Sequence, residues 1–172
     1  MKSTVRVGIY IDGANLFYQG KRSGWSIDYK KFHQWVSKEN TVVIAKYFIG
    51  EPSWEPAKSI NSAFNSYLKW IGYEIVTKPL KKLRMKGGGF KNKCNFDVEI
   101  HDEIIHDLDS LDMVYLMSGD SDFMRTKERV LSKNKKIKFL SYKLGCAWEI
   151  RMSWHLFLDE IKEEIKRGPI DD

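Results

Sequence analysis

Apolar positions along the chain follow two alternating rhythms. Short β-branched and aromatic runs, apolar at nearly every position, give way to stretches where apolar residues return every three or four. "VRVGIYI" (Val5 to Ile11), "TVVIAKYFI" (Thr41 to Ile49), "YEIVT" (Tyr73 to Thr77), "MVYLM" (Met113 to Met117) and "KIKFLSY" (Lys136 to Tyr142) read as strands. Phe32, Trp35 and Val36 behind Asp28 read as a helix, as do Ile60, Phe64, Tyr67, Leu68 and Ile71, and then Val98, Ile100, Ile104, Ile105 and Leu108. Further helices are predicted over 122–133 and over the C-terminal "WHLFLDEIKEEIKR", through Leu156, Leu158, Ile161 and Ile165. "DGAN", after the first run, reads as a turn.

Strands covered on both faces need near-continuous apolar runs, and such strands separated by helices build a parallel sheet between two helical layers. The expected fold is therefore α/β, a Rossmann-like three-layer sandwich with a mainly parallel sheet of about five strands. A chain of 172 residues suits one domain over 1–172, with 143–172 a C-terminal helical extension whose charged helix offers a surface for a homodimer. No run of about 18 apolar residues exists to span a bilayer, and the basic start leads straight into a strand rather than an apolar leader. Cys94 and Cys146 are too few for a disulfide framework. A cytoplasmic protein with no membrane partner is expected.

Charge changes the picture in two places. The net charge is +6, yet the run "KPLKKLRMKGGGFKNK" alone carries seven cations and no acid, leaving the remainder close to neutral. Read as a loop hinged at Gly87, Gly88 and Gly89, this segment offers Lys81, Lys82, Arg84, Lys86, Lys91 and Lys93 to a nucleic-acid backbone; the plainer reading is a solvated basic loop. The second place is acidic. Asp12 follows the first strand, and "SGDSDF" puts Asp120 and Asp122 just past the fourth. In a parallel α/β sheet the carboxyl ends of the strands form the ligand-binding edge, so these acids converge if the two strands are neighbours. Asp97, which opens a helix directly after the basic run, reaches the same edge.

Taken singly, each acid is an ordinary helix cap or first-turn acid. Taken together, close like charges repel and call for protons or a cation, and an oxygen-only set suits Mg²⁺ or Mn²⁺. Asp12, Asp97, Asp120 and Asp122 are the candidate ligands and catalytic acids, with Asn15 and Ser118 as polar groups orienting water or phosphate. His33, His101, His106 and His155 show no paired ligand spacing. Trp25 and Trp54 fall in predicted loops where they are placed to stack on a base. Trp35, Trp70, Trp148 and Trp154 read as core or helix-packing residues.

"VGIYIDGANLF", "KCNFDVEIHDEI" and "VYLMSGDSDF", in this order, resemble the NYN domain, the nuclease-like group of the PIN-like superfamily that includes the bacterial LabA/DUF88 proteins. The resemblance spans about residues 5 to 142. It implies a PIN-like sheet, an acidic divalent-metal site and metal-dependent ribonuclease activity on RNA, DNA remaining open as a substrate. Asp12 and Asn15 match the first acidic motif, Asp97 the central acid, and Asp120 and Asp122 the SGDSD pair. Two positions depart from the pattern: Cys94 stands where the central motif has glycine, and the second acid of that helix falls on Glu103, with Asp102 beside it. The departures favour an alternative, a nucleic-acid-binding or regulatory module without turnover. Gly13 lacks the second acid of a haloacid-dehalogenase motif, and no glutamate stands in the first loop as a Toprim site would need.

Overall fold

The structure, a computed structural model, describes residues 4–168, without the side chains of Lys82, Phe90, Lys91, Asn92 and Lys93. At its centre is β1 (Val5–Asp12), where Val7, Ile9, Tyr10 and Ile11 are fully buried because helices cover both faces. The chain moves outward from β1 through β2 (Asn40–Glu51) to β3 (Glu74–Pro79), then returns to the other side of β1 for β6 (Met113–Met117), β7 (Lys136–Ser141) and β8 (His155–Phe157). The six strands run in the order β3-β2-β1-β6-β7-β8, every neighbouring pair parallel. The order therefore reverses between β1 and β6.

Helices fill two layers. On one face α1 (Gly13–Ser23), α2 (Tyr29–Ser37) and α3 (Ala57–Ile71) lay Leu16, Phe32, Val36 and Leu68 against Ile9, Ile11 and Tyr47. On the other, α4 (Asp97–Asp107), α5 (Met124–Ser132) and α6 (Trp148–Arg151) lay Ile100, Ile104, Val130 and Ile150 against Tyr10, Phe48 and Leu116. No helix among the described residues is long and apolar enough to cross a membrane.

The mainly parallel sheet is as expected, with a sixth strand added at its edge. Three expectations are corrected. The C-terminal segment, expected to be one helix, supplies that strand. There, residues His155 to Phe157 pair with Phe139 to Ser141, a tertiary ladder that overrides the helical spacing. Glu160 then accepts from the Phe157 N–H at 3.2 Å and starts a 3-10 turn, so only α7 (Lys162–Ile165) remains α-helical and the surface offered to a second copy is no continuous helix. The "DGAN" turn is the first turn of α1, which ends at Gly24 in the left-handed region (φ 73°). Finally, the basic segment is a ribbon rather than a loop. β4 (Lys81–Arg84) and β5 (Phe90–Lys93) pair antiparallel, with Gly88 and Gly89 at φ 85° and 89° making the turn that a side chain would strain.

Candidate functional site

The register of β1 on β6 pairs Ile11 with Met117, so Asp12 and Ser118 leave the sheet side by side at the switch in strand order. Asp12 caps α1: its Oδ1 accepts the Asn15 N–H at 3.1 Å, while Oδ2 accepts the Ser118 hydroxyl at 3.3 Å. The same hydroxyl oxygen accepts the Asp120 N–H at 3.3 Å. Asn15 Oδ1 accepts the Gly119 N–H at 3.0 Å, and Asp120 Oδ1 accepts the Asp122 N–H at 3.0 Å, capping the 3-10 turn Ser121–Phe123. One hydrogen-bonded chain thus ties the first acidic turn to the second.

Two glycines permit this approach. A Cβ on Gly13 would stand 2.6 Å from the Phe48 carbonyl oxygen and from the Tyr47 ring, and one on Gly119 would strike the Gln19 amide. Gln19 is buried on α1 and gave no motif signal. Its Nε2 donates to the Gly145 carbonyl at 3.1 Å and its Oε1 accepts the Tyr142 N–H at 3.2 Å, holding α1 against the loop after β7.

The acids sense one another. Burial, joined by the charges of Asp97 and Asp120, pushes the Asp12 carboxyl up to about 6, against the hydrogen bonds from Asn15 and Ser118. Asp97, whose N–H donates to Asn95 Oδ1 at 2.7 Å, is raised by burial and by Asp120, Asp122 and Glu99. None of the four aspartates belongs to an ion pair among the described residues.

Three other acids on α4 are neutralised. Lys46, buried on β2, meets Glu103 at 2.5 Å and Asp107 at 2.6 Å, and Asp107 also accepts the Tyr10 hydroxyl at 2.8 Å. Glu99 meets Lys78, whose ammonium lies 4.7 Å from the Phe96 ring centre. Asp102 lies with His101, His106 and Arg129 along a cleft of about 600 Å³ on the outer side of α4. Neither Asp102 nor Glu103 joins the strand-end group.

The ribbon rises from the end of β3 and leads into α4, so it leaves the sheet at the edge where the acids stand. Lys81, Arg84 and Lys86 are exposed on it, with Leu83 and Met85 between them. The side chains of Lys82, Lys91 and Lys93 lie outside the described residues. Trp35 packs on the core beside Phe32 as expected, but other aromatic expectations are corrected. Trp25 is half-buried, donates to Asp159 at 3.2 Å and packs edge-on against Tyr142, whereas Trp70, Trp148 and Trp154 are exposed.

A family model for the NYN domain matches residues 6–161. This chain belongs to the NYN domain family. It is 28% identical over 158 residues to "Low amplitude and bright protein LabA" of Synechococcus elongatus, a match covering 90% of this chain and 83% of the relative. The fold is similar to the crystal structure of a protein of unknown function from Vibrio parahaemolyticus, with a TM-score of 0.78 and 25% identity, covering 97% of this chain and all of the other. The NYN family is nuclease-like, and its domains generally use divalent metals.

The NYN acids of this chain suit such an ion by charge and donor chemistry rather than as a closed cage. No three His, Cys, Asp or Glu groups among the described residues stand ready to enclose a metal. Mg²⁺ and Mn²⁺ need no cage, since one or two carboxylates with retained waters suffice. A carboxyl held near 6 by burial and like charge, with no cation paired to it, is the electrostatic deficit that a divalent ion relieves.

Proposed function

We propose that the chain hydrolyses RNA phosphodiester bonds in the cytoplasm with Mg²⁺ or Mn²⁺ as cofactor. The observation that carries this reading is the linkage of Asp12 to the Asp120 loop through Ser118, in a group whose charges raise the pKa of Asp12 and of Asp97. Asp12 and Asp120 would hold the ion, with Asp97 and Asp122 completing the shell through water and accepting the proton of the attacking water. When bound, the ion supplies Lewis acidity, lowering the pKa of that water and stabilising the leaving oxygen. Ser118 and Asn15 keep the two turns in register, and the cations of the ribbon neutralise the flanking phosphates. Purified protein cleaves RNA in Mn²⁺, loses cleavage in EDTA, and loses it on Asp120→Asn. Cleavage that persists in that variant sinks the reading.

The second reading, nucleic-acid binding without turnover, is favoured by Glu103: the central helix commits it to Lys46, not to the strand-end group. RNA binding that persists in EDTA, with no cleavage in any divalent ion, selects this alternative.

A further inference from the structure

Gly119, in the middle of the acidic loop, is tied on both sides. Its N–H donates to Asn15 on α1, and its carbonyl accepts the Ala147 N–H at 2.9 Å from the turn that opens α6. Each tether leads directly to an exposed ring. Trp148, the residue after Ala147, is 68% exposed. Tyr18, one helical turn past Asn15 on the same side of α1, is 54% exposed and holds Phe17 edge-to-face at 5.4 Å. Both α4 and α6 pack against the 3-10 turn carrying Asp122, so the backbone that carries Trp148 adjoins the acidic loop. Single exposed apolar residues need no explanation, but large rings anchored through one glycine to either side of an acidic loop do.

We infer that Trp148, with Tyr18 across the loop, forms a base-stacking subsite that makes this site selective for unpaired nucleotides. The inference deepens the nuclease reading and rests on nucleic acid being the ligand. Asp120 follows Gly119 and Trp148 follows Ala147, so the 2.9 Å bond between Gly119 and Ala147 sets the two residues on adjoining backbone, and a nucleotide whose phosphate lies at Asp120 would offer its base to that ring. Every base offers a π-face, so such a platform reads no sequence. It does read pairing, because in a duplex both faces of each base are already stacked. An unpaired base suits the place better than a protein surface, which would have to cover carboxylates that have no paired cation.

The test measures binding of oligouridylate, and of its duplex with oligoadenylate, in Ca²⁺ where turnover is suppressed. Trp148→Ala should weaken binding of the single strand by about 5- to 150-fold, leave duplex binding and Tm near wild type, and be largely rescued by Trp148→Phe. Equal losses on both ligands, or no loss on either, overturn the inference; the latter assigns the ring to a protein contact. Wild type that cleaves while Trp148→Ala binds the single strand as tightly as wild type does refutes the subsite alone. Wild type that never cleaves, with selectivity present, refutes hydrolysis and leaves the subsite standing.

Discussion

Helix α4 carries two acidic groups with opposite fates. At its C-terminal half Glu103 and Asp107 close on Lys46, and Asp107 takes a further hydrogen bond from Tyr10. At its first turn Asp97 faces Asp12, Asp120 and Asp122 with no paired cation among the described residues. Both groups are drawn to the face of the sheet that α4 covers: Tyr10 pairs with Lys46 and Asp12 with Phe48, so these four share one side of β1 and β2. One carboxylate group is compensated within the fold. The other is left in deficit, and it stands at the switch in strand order where ligands bind. Under the proposed function, the charge that the protein has not neutralised, beside one it has neutralised with a buried lysine, is where an ion from outside would complete the structure.

The sharpest way to break this contrast compares two acids on the one helix. Asp97→Asn should lower kcat on RNA by about 10³-fold, the scale on which single catalytic groups act, with little change in Tm. Glu103→Gln should leave turnover near wild type. Equal effects on turnover would mean that the two groups are one site. Next in size, Lys46→Met strands the carboxylates of Glu103 and Asp107 and should cost about 3 kcal/mol, a fall of about 10 °C in Tm by calorimetry. Burial opposes the charge of Lys46, but its hydrogen bonds to Asp107 and Glu103 still raise its pKa, so the ammonium is held charged and its loss is felt in full.

The deficit has its own pH signature. Asp12 titrates near 6 in the fold against 3.8 ordinarily, so between these values the folded chain holds a proton that the unfolded chain has released. Stability therefore falls as pH rises through that window, by about 3 kcal/mol, and nearly all of the penalty is present at pH 7. Asp12→Asn, which keeps a side chain able to cap α1, should raise Tm by about 5 °C at pH 8 and little at pH 4, while abolishing turnover. Mn²⁺ should raise the wild-type Tm at pH 8, do much less at pH 5 where Asp12 is protonated, and do nothing for Asp12→Asn. A Mn²⁺ effect independent of both pH and this residue would place the ion elsewhere.

What could be read in the sequence was what neighbouring residues decide among themselves. A strand of uniform apolarity that ends in an acid and a glycine announces its own edge, so Asp12 and the Asp120 loop were legible as strand-end groups. Their meeting required only that β1 and β6 be adjacent. Features set by distant partners were not legible. His155 to Phe157 have the spacing of a helix and become a strand because β7 offers a free edge. Trp25 sits in a loop as expected, but its ring is engaged by Tyr142 and Asp159 from the far end of the chain, while Trp148 looks like core until α6 turns it outward. Lys46 sits in an apolar run where its charge has no visible reason; its partners lie 57 and 61 residues on.

The ribbon poses the same question in reverse, because it is a region of excess positive charge. Two short strands with no third strand beside them are marginal in water, and the register sets Lys81 opposite Lys93, like charges in directly opposed positions. A polyanion lying along the ribbon removes that repulsion, so the ribbon should gain order on binding. Lys81→Gln and Arg84→Gln should each weaken RNA binding several-fold at low salt and reduce the slope of log affinity against log salt by about one, with the ratio of single-strand to duplex affinity unchanged. Such a slope change with turnover of bound RNA intact separates the grip from the acids. An unchanged slope would mean that the ribbon is merely a solvated hairpin and that the phosphates are held by cations elsewhere. Amide exchange over residues 81–93 reports the ordering directly, slowing on addition of RNA in Ca²⁺ and recovering in high salt.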